Sequence, residues 1–243
     1  MYYNCSELKE FNTGNSNPFI DVGNSTDKVT VTIGKDVLKI PSQLFAKCQK
    51  IKEIIFEDDC IITTIGISAF DNCTGLTSIS LPSSITSLSS SIFSNCSNLT
   101  DIYINCTITE SGNYNSSLFG NFFSKDITIT IGKDVLSIPD YCFYNNTKIK
   151  SVIFESIPSI QSIGEYAFYG CSQLGSIIIP NSVTTIKPEV FENCTKLNTI
   201  TFEDQNSKWN IYYYENLTIS VNNPETNATY FKETYKYQTW TKQ

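Results

Sequence analysis

The stretch Ala69-Phe70-Asp71-Asn72-Cys73-Thr74-Gly75-Leu76-Thr77-Ser78-Ile79-Ser80-Leu81-Pro82-Ser83-Ser84-Ile85-Thr86-Ser87-Leu88 decides the fold. It returns, conservatively changed, as Ala167-Phe168-Tyr169-Gly170-Cys171-Ser172-Gln173-Leu174-Gly175-Ser176-Ile177-Ile178-Ile179-Pro180-Asn181-Ser182-Val183-Thr184-Thr185-Ile186, an offset of 98 residues (167 − 69). The same offset joins Ile33-Gly34-Lys35-Asp36-Val37-Leu38 to Ile131-Gly132-Lys133-Asp134-Val135-Leu136, and it holds without a gap for about seventy residues. A shorter period lies inside it, since Phe45, Phe70 and Phe93 keep the spacing of Phe143, Phe168 and Phe191. A period in the low twenties is the mark of a solenoid, whose coils bury their apolar faces against one another.

Within one unit, Ile79 and Leu81 alternate with polar residues, which marks a short strand with those side chains inward. Pro82 ends the strand, because it cannot donate to a ladder. Ile85 and Leu88 form the next inward pair. Gly66 and Gly164 fit a turn that a side chain would hinder. The Ala-Phe-x-x-Cys segment fits a turn of helix or 3₁₀, with Phe filling the gap between coils. Counting by middle strand residues (a ragged first coil at Leu8–Phe11, then Val31, Ile54, Ile79, Ile102, Ile129, Val152, Ile177 and Ile200) predicts about nine coils. The expected fold is a right-handed solenoid. It has one parallel β-sheet of about nine short strands, short helical or 3₁₀ turns on the other side, and an aromatic C-terminal cap.

Residues 2–202 read as the array, in two long repeats at about 5–104 and 105–202, and residues 203–243 as the cap. Segments Asn12–Lys28 and Asn105–Lys125 break the period and read as loops bulging from one side; long loops carry function more often than short ones. Asn223-Pro224-Glu225 is a helix-start signal. Trp209, Trp240 and the neighbouring tyrosines fit a terminal unit covering an open core. A platform for sugars is the alternative.

Composition narrows the function. The 243 residues carry a net charge of −7, and all seventeen basic residues are Lys. Nucleic-acid binding, which normally needs a basic face, is disfavoured. With no His, the Ser-His-Asp and Cys-His arrangements and the commonest metal ligand are absent. No cofactor is expected. No apolar run approaches the roughly 20 residues of a membrane helix. The first residues read as already inside a coil, so export or anchoring information is expected outside this chain. Asn24, Asn115 and Asn227 sit in glycosylation motifs, which would mark a glycosylated surface in a eukaryotic protein.

Nine cysteines are present. Cys5, Cys48, Cys73, Cys96, Cys171 and Cys194 each follow an aromatic repeat position by three residues. That periodic placement reads as a ladder of buried free thiols rather than a disulfide or metal framework. Cys142 takes the place of Ala69 and Ala167 and is expected in the core. Cys60 and Cys106 lie in connecting segments and are expected to be the exposed thiols.

The recurring residues resemble the BspA-type, or Treponema-type, leucine-rich repeat, C-x-x-L-x-x-I-x-[IL]-P-x-S-V-x-x-I-G-x-x-A-F-x-x-C. The match is strongest at Ile65–Phe93 and Ile163–Phe191 and extends over most of residues 2–202. The tail from Ile219 to Tyr230 resembles tails on such proteins. Two departures stand out: Asn146 replaces the ladder Cys, and Gly34 and Gly132 replace the Pro after the strand. The resemblance implies surface exposure and attachment to host or neighbouring-cell macromolecules, and it brings no catalytic residue.

The expectation is therefore a non-catalytic cell-surface recognition or adhesion protein, extracellular and monomeric. It would bind a host matrix or cell-surface protein or glycan. The outward strand residues form the candidate face: Lys52, Glu53, Ile55, Ser80, Thr100, Asp101, Tyr103, Lys150, Ile153, Ile178 and Thr201. A passive stalk is the alternative. A carboxylate-dependent glycoside hydrolase is the third reading, since paired acids cleave glycosides without His. Its candidates are Glu57, Asp58 and Asp59, with Glu155 repeating Glu57, and Glu203 with Asp204.

Overall fold

The computed structural model describes residues 2–3, 29–108, 117–120, 123–204, 208–213, 217–222 and 236–242. It is a parallel β-solenoid. Nine strands among the described residues form the broad face: Tyr2–Tyr3, Val29–Ile33, Ile51–Phe56, Ser78–Leu81, Asp101–Ile104, Ile127–Ile131, Ile149–Phe154, Ser176–Ile179 and Thr199–Phe202. Neighbours along this series that pair do so in parallel, Ser80 beside Tyr103 and Tyr103 beside Thr130. Side chains alternate as the sequence requires, with Ile79 and Leu81 inward and Ser78 and Ser80 outward. The regular ladder is interrupted twice, after Ile51–Phe56 and after Ile149–Phe154. These are equivalent points of the two long repeats. A bulge marks both six-residue strands, between Ile149 and Ser151 and at the matching position opposite Val29 and Thr30.

A second parallel ladder, not foreseen in the sequence, runs along another side of the coils. Its rungs are two-residue strands, Lys39–Ile40, Thr64–Ile65 and Ser87–Leu88 in the first long repeat, and Ser137–Ile138, Ser162–Ile163 and Thr185–Ile186 in the second. Gly66 and Gly164 follow two of these rungs. Their role is close approach: a Cβ at Gly66 would collide with the backbone of Ser42, and one at Gly164 with the backbone of Pro139 and Asp140.

The Ala-Phe-x-x-Cys segment is not a turn of helix. No helix or 3₁₀ turn occurs among the described residues. The reason is where the backbone N–H groups go. Phe45 N donates to Ala69 O at 2.9 Å, Phe70 N to Ile92 O at 3.0 Å and Phe143 N to Ala167 O at 2.8 Å. These bonds join one coil to the next. Left-handed residues four apart keep the chain out of helical register, at Gln43 and Lys47, Ser68 and Asn72, Ser91 and Asn95, and Tyr141 and Asn145. The segment is a run of β-turns stacked like the strands.

One phenylalanine per coil forms the spine. Phe45, Phe70, Phe93, Phe119, Phe143, Phe168 and Phe191 stack in order, with centroids 5.1–6.2 Å apart. All seven are buried. Phe119 corrects the sequence reading of Asn105–Lys125 as a bulging loop. Ile108, Leu118, Phe119 and Phe123 are buried, so the described parts of that segment complete a coil. Residues 109–116 and 121–122 lie outside the described residues, as do Asn12–Lys28, Cys5 and the helix-start signal at Asn223-Pro224-Glu225.

The thiol ladder is present. Cys73 Sγ donates to Phe45 O at 3.1 Å, Cys96 Sγ to Phe70 O at 3.2 Å, Cys171 Sγ to Phe143 O at 3.4 Å and Cys194 Sγ to Phe168 O at 3.1 Å. Eight cysteines are free and buried. Cys60 and Cys106 are among them, contrary to the sequence reading. A coil has no slack connector, and Cys60 Sγ sits 3.7 Å from Ser84 Oγ of the next coil. At the missing rung, Asn146 Nδ2 donates instead to Ser117 Oγ, which donates to Cys142 O, each at 2.8 Å.

At the C-terminal end Thr239–Lys242 adds antiparallel to Thr185–Ile186. Lys208–Tyr213 pairs with it and with Leu217–Asn222. Trp209 and Trp240 are buried in the same core, and Trp209 lies 5.2 Å from the Phe202 ring. Neither indole is available as a sugar platform.

Candidate interaction face

Pleating sends alternate side chains of the broad sheet to solvent. The candidate face lies on these strands except for Thr100, which immediately precedes Asp101–Ile104. Lys52, Glu53, Ile55, Ser80, Asp101, Lys150, Ile153 and Ile178 are exposed, and Thr100, Tyr103 and Thr201 are half-buried. Strand register aligns the larger ones within each run of paired strands, and the 98-residue offset matches Ile55 to Ile153 and Ser80 to Ile178 across the two interruptions. Thr32 pairs with Ile55, Ser80 with Tyr103, Tyr103 with Thr130, Thr130 with Ile153, and Ile178 with Thr201. Ile55, Ile153 and Ile178 are each more than two-fifths exposed. Tyr103 Oη donates to Glu155 Oε1 at 3.0 Å, tying the first long repeat to the second. Its phenol is pushed up to about 12, by partial burial first and by Glu155 second, so it remains a donor near neutral pH. Lys150 is held by Asp126 at 3.1 Å.

The interruption after Ile51–Phe56 opens a groove of about 680 Å³ on this face. Ile55 and Tyr103 line it, together with Glu53, Glu57, Asp58, Asp59 and Asp101. No lysine lines it. At the matching point of the second long repeat the cavity is about 410 Å³ and lies at the edge, by Ile157, Pro158 and Glu203.

Four of the six candidate catalytic acids have structural work. Glu57 Oε2 accepts from Lys35 N at 2.8 Å, Glu155 Oε2 from Lys133 N at 3.0 Å and Glu203 Oε2 from Asn181 N at 3.0 Å. Each thus holds the backbone of the preceding coil, and the recurrence marks a coil-building part. Asp204 forms an ion pair with Lys242 at 2.9 Å. Among the described residues, no group of three or more Cys, Asp or Glu is placed to hold a metal ion, and no helix is long and apolar enough to cross a membrane.

Two features of the surface escaped the sequence reading. Tyr141 stacks on Tyr166 at 4.8 Å and Tyr144 on Tyr169 at 4.9 Å, forming a half-buried quartet on the turn side of the second long repeat. The signal was legible, as two Tyr-x-x-Tyr segments 25 residues apart (166 − 141). Ile157 is 92% exposed and has φ of 58°. Nothing in its sequence context marks it.

Comparison with known proteins agrees with this architecture. A sequence profile of the BspA type leucine rich repeat region matches in six copies, over residues 15–130 and 114–239. Among solved structures, a leucine rich repeat protein of T. pallidum is similar at 22% identity. The match covers 60% of this chain and 64% of that one, with a TM-score of 0.46. A leucine rich cell surface protein of Faecalibacterium prausnitzii is 20% identical, over 72% of this chain and 79% of that one, at a TM-score of 0.23. The pneumococcal vaccine antigen PcpA is 17% identical, over 83% and 65%, at 0.31. The chain thus spans under two thirds of the length of the T. pallidum protein. No curated protein sequence matches it. The coil period, the phenylalanine spine and a profile matched along most of the chain converge: this chain belongs to the BspA-type leucine-rich-repeat family.

Proposed function

We propose that this is a non-catalytic recognition or adhesion protein of the cell surface, which binds a protein or glycan of a host or neighbouring cell along its broad sheet face. One observation carries the reading: Ile55, Tyr103, Ile153 and Ile178 occupy equivalent outward strand positions along most of the array. Core packing does not need them there, since the inward row already fills the interior. An extended face of this kind suits a large partner better than a small substrate. The names of two similar proteins, a cell surface protein and a vaccine antigen, support the location. The family is generally non-enzymatic, and Glu57, Glu155 and Glu203 are engaged with backbone.

The test uses immobilised extracellular-matrix proteins and a glycan array with the purified chain, followed by the variant Ile55→Ser, Tyr103→Ser, Ile153→Ser, Ile178→Ser. Binding that falls at least tenfold while thermal unfolding is retained supports the sheet face. Unchanged binding moves the site elsewhere, and no binding on either surface favours a passive stalk.

A further inference from the structure

The two long repeats share a backbone plan, but their faces carry different charge. Where the first has Glu53, Asp58, Asp59 and Asp101, the second has Ser151, Ser156, Ile157 and Thr199. Five lysine–carboxylate ion pairs lie between Asp126 and Lys242. Glu53 and Asp101 instead meet threonine hydroxyls, Thr30 Oγ1 at 3.3 Å and Thr100 Oγ1 at 2.7 Å. Negative charge is therefore gathered around a groove lined by Ile55 and Tyr103, with no lysine among its described lining residues. Like charges held together destabilise the compact state. The second long repeat shows that the coil folds without them.

We propose that this groove receives an extended, lysine- or arginine-bearing segment of the partner protein, its aliphatic stems against Ile55 and Tyr103 and its cationic heads between the carboxylates. This deepens the proposed function and rests on it. Long basic side chains are suited to the site, because they cover apolar surface while keeping the charged head among polar groups. From the coil of Glu53 to that of Asp101 is two coil steps, at least roughly 10 Å at the spacing of paired strands. Three or four residues of extended chain span that length. Charge complementarity of this kind also accelerates encounter, and the acceleration falls as salt rises.

The experiment measures binding to an array of immobilised ten-residue peptides bearing Lys or Arg among Leu and Ser, with Glu-bearing counterparts, at low and physiological salt. Wild type is compared with the groove variant Glu53→Gln, Asp58→Asn, Asp101→Asn and with a control of equal charge change on the turn side, Asp71→Asn, Glu165→Gln, Glu189→Gln. We expect basic peptides to bind at least tenfold more tightly than acidic ones. We expect the groove variant to lose at least tenfold and the control less than threefold. The groove variant should unfold at the same temperature as wild type or higher, which separates lost binding from lost fold. Equal binding of basic and acidic peptides, or equal loss in groove variant and control, overturns the proposal. If that happens while the four-site Ser variant still loses matrix or glycan binding, only the charge assignment falls. If the four-site variant loses nothing either, the sheet-face reading falls with it.

Discussion

The two long repeats, Val29–Ile104 and Ile127–Phe202, are a natural experiment in what a coil requires. Inward, they agree almost atom for atom in kind: Phe70 and Phe168, Cys73 and Cys171, Leu76 and Leu174, Ile79 and Ile177 are all buried. Outward, they part company. The first gathers acids about a groove, and the second carries lysine–carboxylate ion pairs and a tyrosine quartet. The core is common to both because packing selects it. The surface has been free to diverge, so its differences are where function is to be sought.

The largest effect should break neither repeat preferentially. Phe70 and Phe168 are both buried and stacked on both sides, with neighbouring centroids 5.2–5.7 Å away. Phe70→Ala and Phe168→Ala should each cost about 3–5 kcal/mol, as ring removal leaves a cavity between coils. Denaturant unfolding measures both. Losses that differ by more than a factor of two would show that the repeats are not energetic equivalents.

The next effect belongs to the second repeat alone. Exchanging the quartet for its first-repeat counterparts (Tyr141→Gln, Tyr144→Ala, Tyr166→Ser, Tyr169→Asp) removes two stacked pairs. At about 0.5–1.5 kcal/mol per aromatic pair, the loss should be roughly 1–3 kcal/mol. Tyr166 Oη also donates to Glu189 Oε1 at 2.7 Å, which that variant gives up. A melting temperature unchanged by the exchange would make the quartet a surface feature without a stabilising role.

How much of this was legible follows from how local each signal is. The spine and thiol ladder repeat residue types at fixed spacing, so the sequence exposes them. Phe119 was hidden because its coil is longer, 26 residues after Phe93 (119 − 93), and lacks the Ala-Phe-x-x-Cys signature. Its Asn- and Ser-rich filler looks like a loop until stacking shows otherwise. The turn after each rung was misread as helical because i, i+3 spacing is shared by helices and by stacked β-turns. Only the bond from Phe45 N to Ala69 O, 24 residues on, separates the two. Of the candidate face, alternation gave the residues, but the groove depends on an interruption of the ladder that no local pattern announces.

The thiol ladder spans both repeats and predicts a shared pH response. Burial pushes Cys96 and Cys106 up to about 12 and raises Cys73, Cys142 and Cys171 as well. An unfolded thiol loses its proton near 8.5. Above that pH the unfolded chain releases protons that the folded chain keeps, so stability is whole below about pH 8.5 and falls as pH rises toward 12. Thermal unfolding from pH 7 to 10 should show this decline. Thiol titration should find almost no reactive group among the eight until the chain unfolds. Fast reaction of Cys60 or Cys106 in the native protein would contradict their burial.

The smallest effect sharpens the comparison most, because it should have the opposite sign. Asp59 and Ile157 occupy the same turn, with φ of 57° and 58°. Asp is among the residues that tolerate the left-handed region, whereas a β-branched side chain is strained there. Ile157 is also 92% exposed, so it gains almost no burial in return. Ile157→Asp installs the residue of the first repeat and should stabilise the chain by about 1 kcal/mol, the scale of the left-handed penalty for an ordinary residue. Thermal unfolding reads this as a small rise in midpoint. A fall would mean that Ile157 makes stabilising contacts and that the strain is offset locally. A rise would leave an apolar residue kept where folding disfavours it, at the edge of the face that also presents Ile153 and Ile178. The same variant would then be expected to bind the partner more weakly, as stability and recognition pull this position in opposite directions.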